Sequence, residues 1–118
     1  MPSKAVLMGS SAPASLASKL GEDPLTAFTA AGTTQATATT LTSNFANVTT
    51  PAPNNGVIMN DPYGRTFIYN SGPNTLLIYP PVGGTMVGLS INAAVNIASG
   101  SGADIEGDGL NYLVNFSL

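Results

Sequence analysis

The sequence predicts an all-β domain, a small β-sandwich or barrel of about seven or eight short strands. Strand-length runs rich in Thr, Val, Ile and aromatic residues recur at intervals of about 8–12 residues along most of the chain. Gly, Pro and Asn separate these runs, as turn residues do. The length of 118 residues suits one domain that buries roughly two-thirds of the surface of its unfolded chain.

The first quarter of the chain has a different composition from the rest. Residues 1–32 are rich in Ala and Ser and lack a strong hydrophobic period, so we assign them to an N-terminal arm. The segment from Pro13 to Leu20 can form a short helix, with Gly21 placed to end it. An extended arm that lies along a neighbouring chain explains the same residues equally well. The β domain is then predicted to cover residues 33–118.

Predicted strands follow one another from the start of this domain to the C-terminus. In order they are 34–41, 45–50, 56–59, 65–69, 75–79, 85–89, 93–98 and 110–116. The turn residues 70–74 lie between two apolar and aromatic runs and predict a hairpin. On that hairpin Phe67, Tyr69 and Tyr79 are expected to form cross-strand core pairs. Residues 99–109 are predicted to be a loop.

The last strand offers candidate residues for contact with a partner. Side chains alternate along a strand, so Tyr112 and Val114 lie on one side and Leu113 on the other. Leu113 interrupts a face that is otherwise made of Asn, which predicts that this face is partly covered. We therefore take Tyr112, Leu113 and Val114 as the candidate oligomer or partner face.

Charge is unusually scarce in this chain. Charged residues make up 8% of it, against about 25% in an ordinary domain. A surface so poor in charge lacks the usual protection against self-association, which favours a subunit covered by partners. A neutral surface of hydroxyls and amides is the alternative. With a net charge of −3 and only three cations, the chain has no basic cluster for nucleic acid. It also has no apolar run near the roughly 20 residues that a membrane span needs.

The residue types needed for catalysis are poorly represented. The chain has no His and no Cys, so the commonest general base and the most reactive nucleophile are absent. The carboxylates form no evident acid–base pair, and a Ser–Lys dyad would have to use Lys4 or Lys19 in the N-terminal arm. We therefore expect a protein that is not an enzyme and that needs no cofactor.

One acidic segment has the spacing of a cation site. Asp104, Glu106 and Asp108, followed by Gly109, are similar to the start of a calcium loop, in which oxygen ligands converge on the ion. The twelfth position of such a loop should be Glu, and here it is Asn115. A solvated acidic loop is the preferred interpretation, and no metal is expected.

Four segments together resemble a small β domain found in structural proteins of tailed bacteriophages. Their order over more than half of the chain carries the resemblance. They are Ala31–Ala38 continuing through Val48–Thr50 to Asn55–Met59, then Gly64–Asn74, Leu77–Met86 and Leu89–Gly100. Domains of this kind occur in capsid decoration (cement) proteins and head fibres and are commonly trimeric.

The resemblance implies a virion structural protein on the outer capsid surface, a homotrimer that binds and stabilises the shell of major capsid protein. The N-terminal arm would then attach the protein to the shell, with Leu7, Leu16 and Leu20 as anchors. A receptor- or glycan-binding module of a head fibre or tail is an alternative, with the loop 99–109 and Tyr112 as its site. A head–tail adaptor is another.

Overall fold

A computed structural model describes residues 25–60 and 63–117, and it confirms the predicted all-β class. Within these ranges no helix is long and apolar enough to cross a membrane. A 3₁₀ turn, Gln35–Thr37, follows the first strand. The described part of the chain forms ten strands, β1 (Thr26–Thr29), β2 (Thr39–Thr40), β3 (Phe45–Thr49), β4 (Gly56–Ile58), β5 (Tyr63–Asn70), β6 (Leu76–Tyr79), β7 (Thr85–Met86), β8 (Val95–Ile97), β9 (Gly102–Asp108) and β10 (Asn111–Ser117).

The strands form two sheets between which the chain passes repeatedly. One sheet has the order β1-β3-β5-β9-β10-β7, and the other has the order β2-β4-β6-β8. Strands β1, β3 and β5 are parallel to one another, and so are β2, β4 and β6. Because successive strands from β1 to β6 alternate between the sheets and stack in parallel, this part of the chain winds as a flattened coil. Strands β8 and β9 instead pair antiparallel to β6 and β5.

The hydrophobic core lies between the two sheets. Alternate side chains point inward, so that in β3 the buried positions are Ala46 and Val48. One cluster joins inward residues of the six-stranded sheet with those of the four-stranded sheet; it includes Val48, Ile68, Ala103, Ile105, Val57, Leu76, Ile78 and Ile97, each at most 1% exposed. Burial of one such aliphatic side chain contributes about 1.5–3 kcal/mol. The core therefore holds the two sheets together.

The predicted hairpin at residues 70–74 is wrong, because β5 and β6 belong to different sheets. Asn70 is fully buried at the corner between them. Its carboxamide oxygen accepts hydrogen bonds from Thr50 Oγ1 and Gly72 N, each at 3.1 Å. Its Nδ2 donates to the carbonyls of Asn74 (2.8 Å) and Ile97 (3.0 Å). Thr50 lies at the preceding corner, where the chain leaves β3 for the other sheet. The hydrogen bonds of Asn70 join the two corners, so after β5 the chain crosses to the other sheet instead of turning back.

The aromatic residues near this corner consequently do not pair as expected. Phe67 packs against Phe45 of β3, with ring centroids 5.8 Å apart and an edge-on geometry. Tyr79 lies in the other sheet, where its hydroxyl donates to the carbonyl of Thr33 at 3.1 Å. Tyr69 is on the outer face of the six-stranded sheet and is 37% exposed. The prediction of cross-strand core pairs among Phe67, Tyr69 and Tyr79 is therefore wrong.

The predicted loop 99–109 is also largely a strand. β9 pairs with β5 on one side and with β10 on the other, antiparallel to both. A two-residue connection joins β9 to β10, and its first residue, Gly109, has a φ of 100° that favours glycine. Glycine at the first position of a two-residue connection is a known hairpin signal. Strand propensity alone missed β9, because Gly and Asp are poor strand formers.

The β domain includes residues that the sequence places in the arm. β1 pairs with β3, with Thr26 opposite Ala46 and Thr29 opposite Thr49. Ala30 follows β1 and is buried in the core. The domain therefore extends at least to residue 26 on its N-terminal side. The predicted short helix or extended segment before it, and the anchors Leu7, Leu16 and Leu20, lie outside the described residues.

Candidate protein-interaction surface

Five large aliphatic side chains are exposed around one edge of the six-stranded sheet, where β7 pairs with β10. We call this surface the apolar edge, and its residues are Val87, Leu89, Ile91, Leu110 and Leu113. Each of them is between 42% and 62% exposed. Single exposed aliphatic residues are ordinary, but an exposed group of them marks a surface for binding.

Backbone pairing to β7 brings these residues together. Thr85 N donates to the carbonyl of Leu110 and Val87 N to that of Tyr112, both at 2.9 Å. On its other side Thr85 forms an antiparallel bridge with Ile91. A strand of two residues is thus held between the start of β10 and the 87–91 connection. The fold therefore presents the apolar edge on a hydrogen-bonded scaffold.

A shallow groove lies beside the apolar edge. It has a volume of about 320 Å³ and is lined by Val87, Glu106, Gly107, Asp108, Asn111 and Leu113. Leu113 faces Glu106 across the β9–β10 pair, while Val87 follows the neighbouring strand β7. The groove thus has aliphatic walls and carboxylates at its rim.

The three candidate partner residues on β10 differ in how far their side chains are exposed. Leu113 is 52% exposed and belongs to the apolar edge. Tyr112 is fully buried, and a Cβ added at Gly84 would lie 2.6 Å from its ring. Val114 is half-buried against the core. The assignment of Tyr112 to a partner face is therefore corrected: its position in the strand alternation points it between the sheets, so only its neighbour Leu113 projects from the outer face.

Strand β9 separates the carboxylates of the calcium candidate. Alternate residues of a strand share one face but lie about 6.8 Å apart along it. Asp104 accepts two short bonds from Arg65, Nε to Oδ1 at 2.9 Å and Nη2 to Oδ2 at 2.6 Å. These hydrogen bonds and the charge of Asp104 raise the pKa of Arg65. Asp104, Glu106 and Asp108 do not converge, and the described residues contain no group of three metal-ligating side chains.

Asp108 stabilises the β9–β10 hairpin through its ionised carboxylate. The backbone N–H of Asn111 at 2.7 Å and that of Leu110 at 3.0 Å donate to Oδ1 and lower the pKa of Asp108 below its ordinary value of 3.8. A lowered folded-state pKa adds stability above the ordinary pKa, and this is lost as the pH falls through the folded-state value. We expect wild type to be more stable than Asp108→Asn at pH 7, with the difference shrinking below about pH 4.

Urea unfolding of wild type and Asp108→Asn between pH 7 and pH 2 tests this expected pH dependence of stability. Repetition in 0.5 M salt is the control, because salt screens distant charges but not these short bonds. A difference between the two proteins that stays constant over the whole pH range would contradict the role of the carboxylate.

Most of the apolar edge has a recognisable pattern in the sequence, but that pattern predicts a strand and not an exposed surface. Val87, Leu89 and Ile91 alternate with small or polar residues, which is typical of a strand with one buried face. In the structure β7 ends at Met86, so these side chains lie in a connection and stay exposed. The glycan-binding alternative placed its site in the loop 99–109 and at Tyr112. The structure does not form this site, because Tyr112 is buried and residues 102–108 form a strand.

No protein-family model, curated protein or solved structure matches this chain.

Proposed function

We propose that the chain is a virion structural protein, a decoration (cement) protein that binds the major capsid protein on the outer capsid surface as a homotrimer. The apolar edge is the observation that carries this proposal. Five exposed aliphatic side chains around one sheet edge are what a surface covered by another subunit requires. The low charge of the chain supports the same conclusion.

Binding would depend on buried apolar area and on shape. Full burial of one of these side chains is worth about 1.5–3 kcal/mol, and several are needed to offset the entropy lost on association. The scaffold is suited to this, because β7 and β10 are hydrogen-bonded before a partner arrives. Arg65 and Asp104 pair within the domain, so that charge pair needs no partner. The protein would act by holding neighbouring subunits together, without catalysis.

The N-terminal arm would add a second attachment to the shell. Leu7, Leu16 and Leu20 are large aliphatic side chains in a segment rich in Ala and Ser. In this proposal the β domain supplies one contact with the shell and the arm supplies the other.

Charges placed on the apolar edge test the proposal. We expect the double variant Val87→Asp/Leu113→Asp to fold but to bind purified capsids at least about tenfold more weakly, which corresponds to a loss of about 1.4 kcal/mol. The reason is that two carboxylates would have to be desolvated in the contact. Binding is measured by co-sedimentation with capsids, and folding by circular dichroism.

The matched control is Thr49→Asp/Asn96→Asp, which adds the same charge at two exposed positions outside the apolar edge. The control is expected to bind like wild type. Equal binding by the edge variant and wild type would show that the apolar edge is not the contact. A copy number per virion far below that of the shell subunit would reject the decoration role itself.

A further inference from the structure

The groove beside the apolar edge combines aliphatic and acidic side chains. Val87 and Leu113 are exposed aliphatic residues of its lining, and Glu106 and Asp108 are exposed carboxylates of the same lining. Asp108 is ionised at neutral pH, as an ordinary aspartate is, and the backbone N–H groups of the hairpin lower its pKa further. An occupant of this groove therefore meets both apolar surface and negative charge.

The domain supplies little positive charge to this groove. Within the described residues Arg65 is the one cation. It is committed to Asp104 by two short hydrogen bonds, and its Nε is 3.9 Å from the nearest oxygen of Glu106. Arg65 does not line the groove. Glu106 therefore makes only a long salt bridge with Arg65, and Asp108 uses its Oδ1 for the hairpin, so both carboxylates can still accept hydrogen bonds from cationic groups of a partner.

A second copy of this groove is a poor occupant. In a two-fold contact the same patch faces itself, so the carboxylates of the two copies would come together, and like charges in an interface exclude a partner. In the three-fold contact of a trimer the groove would meet a different surface of the next copy, and Arg65, the one cation of the described residues, is already bonded to Asp104. Charge complementarity instead favours a partner segment that carries cations beside an aliphatic side chain.

We propose that this groove binds a basic, apolar segment of the shell protein, in which an aliphatic side chain is flanked by lysine or arginine. The inference rests on the proposed function and names the chemistry of the partner. The aliphatic side chain would lie between Val87 and Leu113. The flanking ammonium or guanidinium groups would bond to Glu106 and Asp108 with charge-assisted hydrogen bonds.

Titration of the full ¹⁵N-labelled chain with capped hexapeptides tests the inference without capsids. The probe GKLVKG is expected to bind at least tenfold more tightly than GELVEG, which reverses the charge, and than GKSSKG, which removes the aliphatic residues. Amide shifts are expected at residues 87, 106–108, 111 and 113. Glu106→Gln is expected to weaken binding of GKLVKG at least threefold, while Glu106→Asp, which keeps the charge, retains it.

Equal binding of the three peptides, or shifts confined to other parts of the domain, would overturn the inference. It would also be overturned if Lys4→Gln moved the groove signals of the free protein, because the chain's own N-terminal segment would then be the occupant. The decoration role is judged separately by copy number and co-sedimentation. Peptide failure with intact capsid binding rejects only the groove. Peptide binding without capsid association supports the basic, apolar chemistry of the occupant but rejects the decoration role, and with it the shell protein as the source of the segment.

Discussion

Replacement of Tyr112 by alanine is expected to lower the free energy of unfolding by about 3–5 kcal/mol, the range for loss of a large buried aromatic side chain. Tyr112 is among the largest side chains with no exposed surface, and it packs in the core cluster with Met86 and Ile105. Its removal leaves a cavity between the sheets that rigid, hydrogen-bonded strands cannot fill. Urea unfolding followed by circular dichroism measures the loss.

The neighbouring residue provides the matched control. Leu113 is exposed on the opposite side of the same strand, so Leu113→Ala is expected to change stability by no more than about 0.5 kcal/mol. Tyr112→Leu leaves a smaller cavity and keeps the measurement possible if the alanine variant does not fold. Similar small losses at Tyr112 and Leu113 would contradict the core position of Tyr112 and restore it as a partner residue.

Replacement of Asn70 by alanine is expected to cost about 3 kcal/mol, because it removes a buried carboxamide that satisfies several polar groups at once. Gly72 N and the Ile97 carbonyl both lose the bond to this side chain. Thr50 Oγ1 keeps its bond to the Asn74 carbonyl at 2.8 Å, so part of the network persists. The corner that carries the chain between the sheets is then weakened without being abolished.

Asn115→Ala is the control for this variant, because Asn115 is exposed in a strand and its replacement removes the same chemical group from the surface. Its effect is expected to stay within about 0.5 kcal/mol. Thermal and urea unfolding of both variants measure the difference. If Asn70→Ala is as stable as Asn115→Ala, the buried hydrogen-bond network does not hold the corner.

Several elements were predictable from local sequence. The run 45–50 was predicted as a strand and is observed as Phe45–Thr49, and the C-terminal run 110–116 is observed as Asn111–Ser117. Both are rich in β-branched and aromatic residues whose period of two matches a pleated strand. In the final strand the same alternation placed Tyr112 and Leu113 on opposite faces, although it did not show which face is covered.

The predictions that were wrong concern elements whose structure depends on contacts between distant parts of the chain. β9 has a composition typical of a loop, but it forms a strand because Ala103 and Ile105 fill the core and Asp104 pairs with Arg65. The candidate surface was found only in part. Leu113 was selected, while Val87 and Ile91 were assigned to strands or left unassigned, since their exposure depends on where β7 ends.

The all-β class of this chain was readable from the amino-acid sequence, because strand propensity and a period of two are properties of neighbouring residues. Its scarce charge and lack of His and Cys are likewise visible without a fold. Which strands share a sheet, and which apolar side chains remain outside the core, depends on contacts between distant parts of the chain. The reason is physical: backbone hydrogen bonds between strands carry no residue code, so contacts such as Asn70 with Thr50 select the pairing.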